Sequence, residues 1–171
     1  MSQRGGSKLV SDRSTAGGAA RGVRRVSPSE AKSLLDLGYS YVDVRSVEEF
    51  HELHPVGALN VPVMASGPRH GPPSYEPFLA LMGHLFVRDD KIVVGCATGV
   101  RSLHAAELLL AAGFTDVVEQ RAGMEGARGP FGNLLEPGWI EAGLPVASGS
   151  DAGSLAALQR QGEGDPARAR S

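Results

Sequence analysis

The stretch K-I-V-V-G-C-A-T-G-V-R-S-L-H-A-A-E-L-L-L-A-A-G, from Lys91 to Gly113, decides the fold. Ile92, Val93 and Val94 form a short β-branched run of the kind that fills a strand buried on both faces. From Ser102 the period changes: Leu103, Ala106, Leu109 and Leu110 share one helical face, and Gly113 supplies a left-handed stop. Between strand and helix lies the loop Cys96-Ala97-Thr98-Gly99-Val100-Arg101. A strand feeding a helix through so short a loop aims backbone N–H groups and the positive helix end at one point, which makes an anion site. The only cysteine of the chain sits there. A thiol beside a helix N-terminus and a guanidinium is expected to ionise readily, so the pattern predicts a nucleophilic Cys96. Gly99 lets the backbone turn inward, and Arg101 offers a planar cation to an oxyanion.

Loop length separates two chemistries. Cysteine-dependent phosphatases place five residues between nucleophile and arginine so that the loop encircles a phosphate. Here only Ala97, Thr98, Gly99 and Val100 intervene, a ring better sized for a single bound sulfur. The segment closely resembles the active-site loop of the rhodanese (thiosulfate sulfurtransferase) family, and the span from about Arg25 to Ala147 resembles one complete rhodanese domain. That resemblance implies an α/β fold, a mostly parallel five-stranded sheet with helices on both faces. The alternation of strand and helix patterns along the chain points to the same layered class.

A second passage, D-V-R-S-V-E-E-F-H-E-L-H-P-V-G-A-L-N-V-P (Asp43–Pro62), resembles a further signature of that family. Asp43, Arg45, Glu49, Phe50, His54, Gly57, Ala58, Asn60 and Pro62 match it, whereas Leu53 and Pro55 replace the usual Gly and Ile at the turn. The resemblance implies that Asp43 lies beside the catalytic loop and accepts its hydrogen bonds as structural support. Arg45 is expected either to line the pocket or to pair with Glu48 or Glu49. Ser46 followed three residues later by Glu49 is a capping box, so a short helix starts there. Ser27-Pro28-Ser29-Glu30 opens another helix by the same kind of signal.

Composition bounds the rest. A chain of 171 residues, 42% hydrophobic, holds one core with loose ends, and its formal charge of −2 gives no overall basic field for nucleic acid. A lone cysteine suits a reducing compartment, and no apolar run is long enough to span a bilayer. Residues 1–24 and 148–171 are Gly/Ser/Ala-rich with scattered charge and read as disordered tails around a domain at 25–147. The Arg/Ser-rich start fits a cytoplasmic protein with a solvated tail, or a plastid or mitochondrial transit segment as the alternative. The Gly/Pro-rich loop from Met64 to Pro77 reads as a solvated excursion, or as a cover bringing Arg69, His70 or Tyr75 to a substrate. Phe114 to Arg121 reads as a strand near the sheet edge, and Glu136–Val146 as a closing helix followed by Gly-Leu-Pro-Val, with Trp139 as a core anchor.

The resemblance implies a ping-pong sulfur transfer: Cys96 takes the outer sulfur of a thiosulfate-like donor, loop N–H groups and Arg101 stabilise the departing sulfite, and cyanide or a thiol accepts the sulfur. The partners are then a small sulfur donor and acceptor, or a thiol-bearing protein, with no cofactor and no metal. An already ionised thiol needs no general base. Two rivals remain open, a persulfide carrier loaded by another protein and a cysteine-dependent phosphatase or arsenate reductase.

Overall fold

The computed structural model describes residues 22–67 and 69–163. Its elements in chain order are β1 (Arg24–Val26), α1 (Pro28–Asp36), β2 (Ser40–Asp43), α2 (Val47–Glu52), β3 (His54–Pro55), β4 (Leu59–Asn60) and α3 (Glu76–Leu85). There follow β5 (Lys91–Gly95), α4 (Val100–Ala111), β6 (Asp116–Gln120), β7 (Ala127–Arg128), β8 (Leu134–Glu136), β9 (Val146–Ala147) and α5 (Leu155–Glu163). Five strands form one parallel sheet in the order β1-β6-β5-β2-β4. β5 lies at its centre because Ile92, Val93 and Val94 are apolar on both faces and fully buried. Burying each of these side chains contributes roughly 1.5–3 kcal/mol.

The two-residue alternation of the strands divides the interior. Ile92 and Val94 pack with Phe78 and Met82 of α3, Ala105, Ala106 and Leu109 of α4, and Leu158 of α5. Val93 faces the other way, onto Ala31 of α1, Phe50 of α2, Tyr41 and Trp139. Both expected capping boxes form: the Ser27 hydroxyl accepts from the Glu30 N–H and the Ser46 hydroxyl from the Glu49 N–H, while the glutamates accept from the cap N–H groups. Trp139 is the expected anchor, edge-on to Tyr41 and donating its indole N–H to the Pro145 carbonyl (3.0 Å).

Three expectations are corrected. The fold starts earlier than expected, since Arg24, at the margin of the expected tail, opens the parallel strand Arg24–Val26 outside β6, which stands near the sheet edge as expected. The polar residues of β6, Glu119 and Gln120, are buried and hydrogen-bonded rather than facing water. Residues 136–146 form no closing helix: Pro137 and Gly138 break the pattern, and turns carry Trp139 inward. The stretch from 148 folds back as far as α5: the Gly149 N–H donates to the His51 carbonyl, Asp151 meets His54, and Leu158 enters the core. The remainder of the two expected tails, 1–21 and 164–171, lies outside the described residues.

Candidate active site

The carboxyl ends of β5, β2 and β6 meet at the Cys96–Arg101 loop. Two backbone bonds pin the loop's first peptides, Met124 N–H to the Cys96 carbonyl and Glu125 N–H to the Ala97 carbonyl, both 2.9 Å. Since a trans peptide points its N–H opposite its C=O, the next two amides, of Ala97 and Thr98, turn away from the 123–125 turn. Gly123 permits this approach, for a Cβ there would overlap the Ala97 carbonyl. Gly99 adopts a left-handed conformation (φ 88°) as the cap residue of α4, and a Cβ there would run into the Arg121 carbonyl. Its N–H donates to Cys96 Sγ at 3.2 Å. Ala97 is nearly buried, Thr98 is partly buried and Val100, the first residue of α4, is exposed.

Cys96 is 1% exposed. Besides the Gly99 amide it meets Ser102, its Sγ–H donating to Ser102 Oγ at 3.2 Å. Ser102 in turn donates to Glu119 Oε1 (2.6 Å), and Glu119 Oε2 accepts from Arg25 Nε (2.6 Å). Sequence reasoning missed Ser102, Glu119 and Arg25. The available signal was a glutamate inside the otherwise apolar run Val117-Val118-Glu119, which reads equally well as the polarity of an edge strand.

Arg101 is engaged by Glu49 in a two-pronged pair, Nη1 to Oε2 at 2.7 Å and Nη2 to Oε1 at 2.8 Å. The Arg101 bonds, followed by the Ser46 N–H, hold the Glu49 carboxyl down at about 2 against burial, which acts the other way. Hydrogen bonding to Glu49 correspondingly strengthens the hold of Arg101 on its proton. The Arg101 guanidinium thus has its charge already matched, by Glu49 rather than by the sulfur of Cys96.

Asp43 and Arg45 take roles other than those expected. The Asp43 carboxylate accepts from the backbone N–H, Nε and Nη2 of Arg45 (2.7–3.2 Å) instead of from the catalytic loop. Among the described residues Arg45 pairs with Asp43 rather than with Glu48 or Glu49; buried, it also donates from Nη2 to the Leu53 carbonyl (2.6 Å) and ties down the end of α2. The two residues are only two apart on an extended segment, so their side chains reach each other directly while Glu49 faces α4. Asn60 completes this clamp through the Asp43 and Arg45 carbonyls. In the 64–77 loop, Ser66 and Ser74 bond backbone to backbone, and Tyr75 packs edge-on against exposed His104 (4.8 Å between centroids). Thr98, Gly99 and Val100 of the Cys96–Arg101 loop line a cavity of about 360 Å³ together with Arg25, Arg121 and Arg128.

Comparison with known proteins follows the same lines. A family model described as Rhodanese-like domain matches residues 27–128. Thiosulfate sulfurtransferase 16, chloroplastic, of Arabidopsis thaliana is 38% identical over 121 residues, spanning 71% of this chain and 90% of that protein. Among solved structures, the Alr3790 protein of Anabaena sp. superposes with a TM-score of 0.58 at 19% identity, covering 82% of this chain and 94% of the other; this likeness is one of fold alone. The polysulfide-sulfur transferase homodimer of Wolinella succinogenes superposes with a TM-score of 0.52 at 25% identity, covering 75% of this chain and 80% of that one.

Proposed function

The chain belongs to the rhodanese-like domain family, and from that premise we propose that it is a sulfurtransferase carrying a sulfane sulfur on Cys96. The observation that carries the reading is the Gly99 N–H aimed at Cys96 Sγ inside a ring whose carbonyls are pinned outward. In the forward half-reaction the Cys96 thiolate attacks the outer sulfur of thiosulfate. The new S–S bond forms as the old one breaks, and its electron pair leaves with sulfite. In the second half, cyanide or a thiolate attacks the terminal sulfur and the Cys96 thiolate is regenerated. Amides of residues 97–99 face the charge on the terminal sulfur, the arrangement that stabilises an anion without reorganisation. No cofactor enters this chemistry.

One observation favours a second reading, that the physiological donor is a persulfide delivered by a protein or small thiol. Arg101 is already neutralised by Glu49, so a sulfonate-bearing donor must draw it away, whereas a persulfide donor needs no such cation.

Intact-protein mass spectrometry after thiosulfate treatment tests the proposal. The wild-type chain is expected to gain one sulfur, reversed by cyanide, and Cys96→Ser to gain none. Because Cys96 is the only cysteine, the assignment is unambiguous. A wild-type chain that stays unmodified with thiosulfate but is loaded by a cysteine persulfide supports the second reading, and loading by neither sinks both.

A further inference from the structure

The buried chain Cys96–Ser102–Glu119 is an arrangement the sulfur-transfer chemistry above makes no use of. Glu119 is fully buried in β6, Ser102 is fully buried in the first turn of α4, and the serine hydroxyl bridges sulfur and carboxylate at 3.2 and 2.6 Å. Counting hydrogens shows what the bridge requires. A hydroxyl supplies one donor. With Cys96 as a thiol, Sγ–H donates to Ser102 Oγ and Ser102 O–H donates to Glu119, so every member is satisfied. With both Cys96 and Glu119 ionised, two buried anions share a single hydroxyl hydrogen; each keeps one further donor, the Gly99 N–H for Cys96 Sγ and Arg25 Nε for Glu119, and one of the two is left a donor short.

We propose that Glu119, acting through Ser102, is the proton acceptor for Cys96: the thiol proton moves to Ser102 Oγ as the serine proton moves to Glu119 Oε1. The balance is internal. The S–H and Ser O–H bonds break, new Ser O–H and Glu O–H bonds form, and a single negative charge passes from carboxylate to sulfur with no proton released to solvent. Arg25 is bonded to Glu119 Oε2 at the carboxylate end of the relay and reaches the Gly99 carbonyl of the loop (3.4 Å). The inference rests on Cys96 being the reactive atom of the proposed function, and it makes Ser102 and Glu119 positioning and proton-holding groups rather than substrate contacts.

The relay has a signature in pH. The titratable and charged groups around it are Arg25 on β1, Tyr41 and Asp43 on β2, Arg101 on α4 with its partner Glu49 on α2, and Arg121 just after β6. None is a histidine. Transfer within the pair changes the proton count of neither the site nor the solvent, so the rate at which iodoacetamide alkylates wild-type Cys96 should be nearly flat from about pH 5.5 to 7.5. In Glu119→Gln and in Ser102→Ala the proton must go to solvent. The rate should then climb about tenfold per pH unit and lie on the order of 10²-fold below wild type at the acid end.

Alkylation needs no sulfur donor, so this result is independent of the persulfide experiment. If wild type itself climbs tenfold per pH unit, in parallel with both variants, the relay is refuted while sulfur transfer stands. A Glu119→Gln chain that alkylates faster than wild type across the range also refutes it, since that marks Glu119 as a mere repelling anion. Ser102→Ala keeps the Arg25–Glu119 pair, so it carries the test if Glu119→Gln does not fold.

Discussion

Replacing Gly99 by alanine asks two things of the loop at once, and the structure separates them. The first is conformational: at φ 88° an L-residue pays about 1–2 kcal/mol for the left-handed backbone. The second is steric, because a Cβ at residue 99 would lie 3.0 Å from the Arg121 carbonyl carbon and closer still to its oxygen. Arg121 cannot retreat freely, for its N–H is bonded to the Val26 carbonyl and its guanidinium to Glu136. Forcing the two backbones apart adds roughly 1–3 kcal/mol, the usual range for overpacking. Gly57 is the control: it has φ 80° but open space where its Cβ would go, so Gly57→Ala incurs the conformational cost alone. Guanidinium unfolding should therefore place Gly57→Ala about 1–2 kcal/mol below wild type and Gly99→Ala about 2–5 kcal/mol below, with equal m-values. Because the Gly99 amide is the donor to Cys96 Sγ, the variant should also lose sulfur loading in the mass experiment. Equal destabilisation of the two variants, with normal loading of Gly99→Ala, would refute the claim that this contact shapes the ring.

Two further outcomes are expected. Arg101→Ala should lower kcat/KM for thiosulfate about tenfold to a thousandfold, as for loss of one charge-stabilising donor, while loading by a persulfide donor changes little; unchanged thiosulfate kinetics would remove Arg101 from the mechanism. Glu49, held at about 2 by Arg101 against an ordinary 4.5, contributes stability that is present above pH 4.5 and is lost as pH falls through about 2. With side chains 34% and 41% exposed, solvent screening leaves that contribution on the order of 1 kcal/mol. Acid titration followed by circular dichroism should show a steeper fall between those pH values for wild type than for Glu49→Gln, and coincident curves would show that the pair adds nothing.

Local rules sufficed wherever a few neighbouring residues decide a conformation. The run Ile92–Val94, the capping serines at 27 and 46, and the passage from β5 through the Cys96–Gly99 turn into α4 were all legible as strand, helix starts and connecting loop, since propensity, capping and loop geometry act over a handful of residues. The family followed from the same stretches, and with it the parallel sheet. What the tertiary structure alone decided is pairing across the sheet. Arg24–Val26 becomes a strand only because Val118–Gln120 lies beside it, and α5 exists because His54, Asn60 and the core accept the segment before it. Arg45 turns to Asp43, Arg101 to Glu49, and Glu119 reaches Cys96 through Ser102 across separations the chain does not advertise. A charged side chain states in the sequence only that it must find a partner; which partner is set by the packing that brings two strands and a helix end into hydrogen-bonding reach of one another.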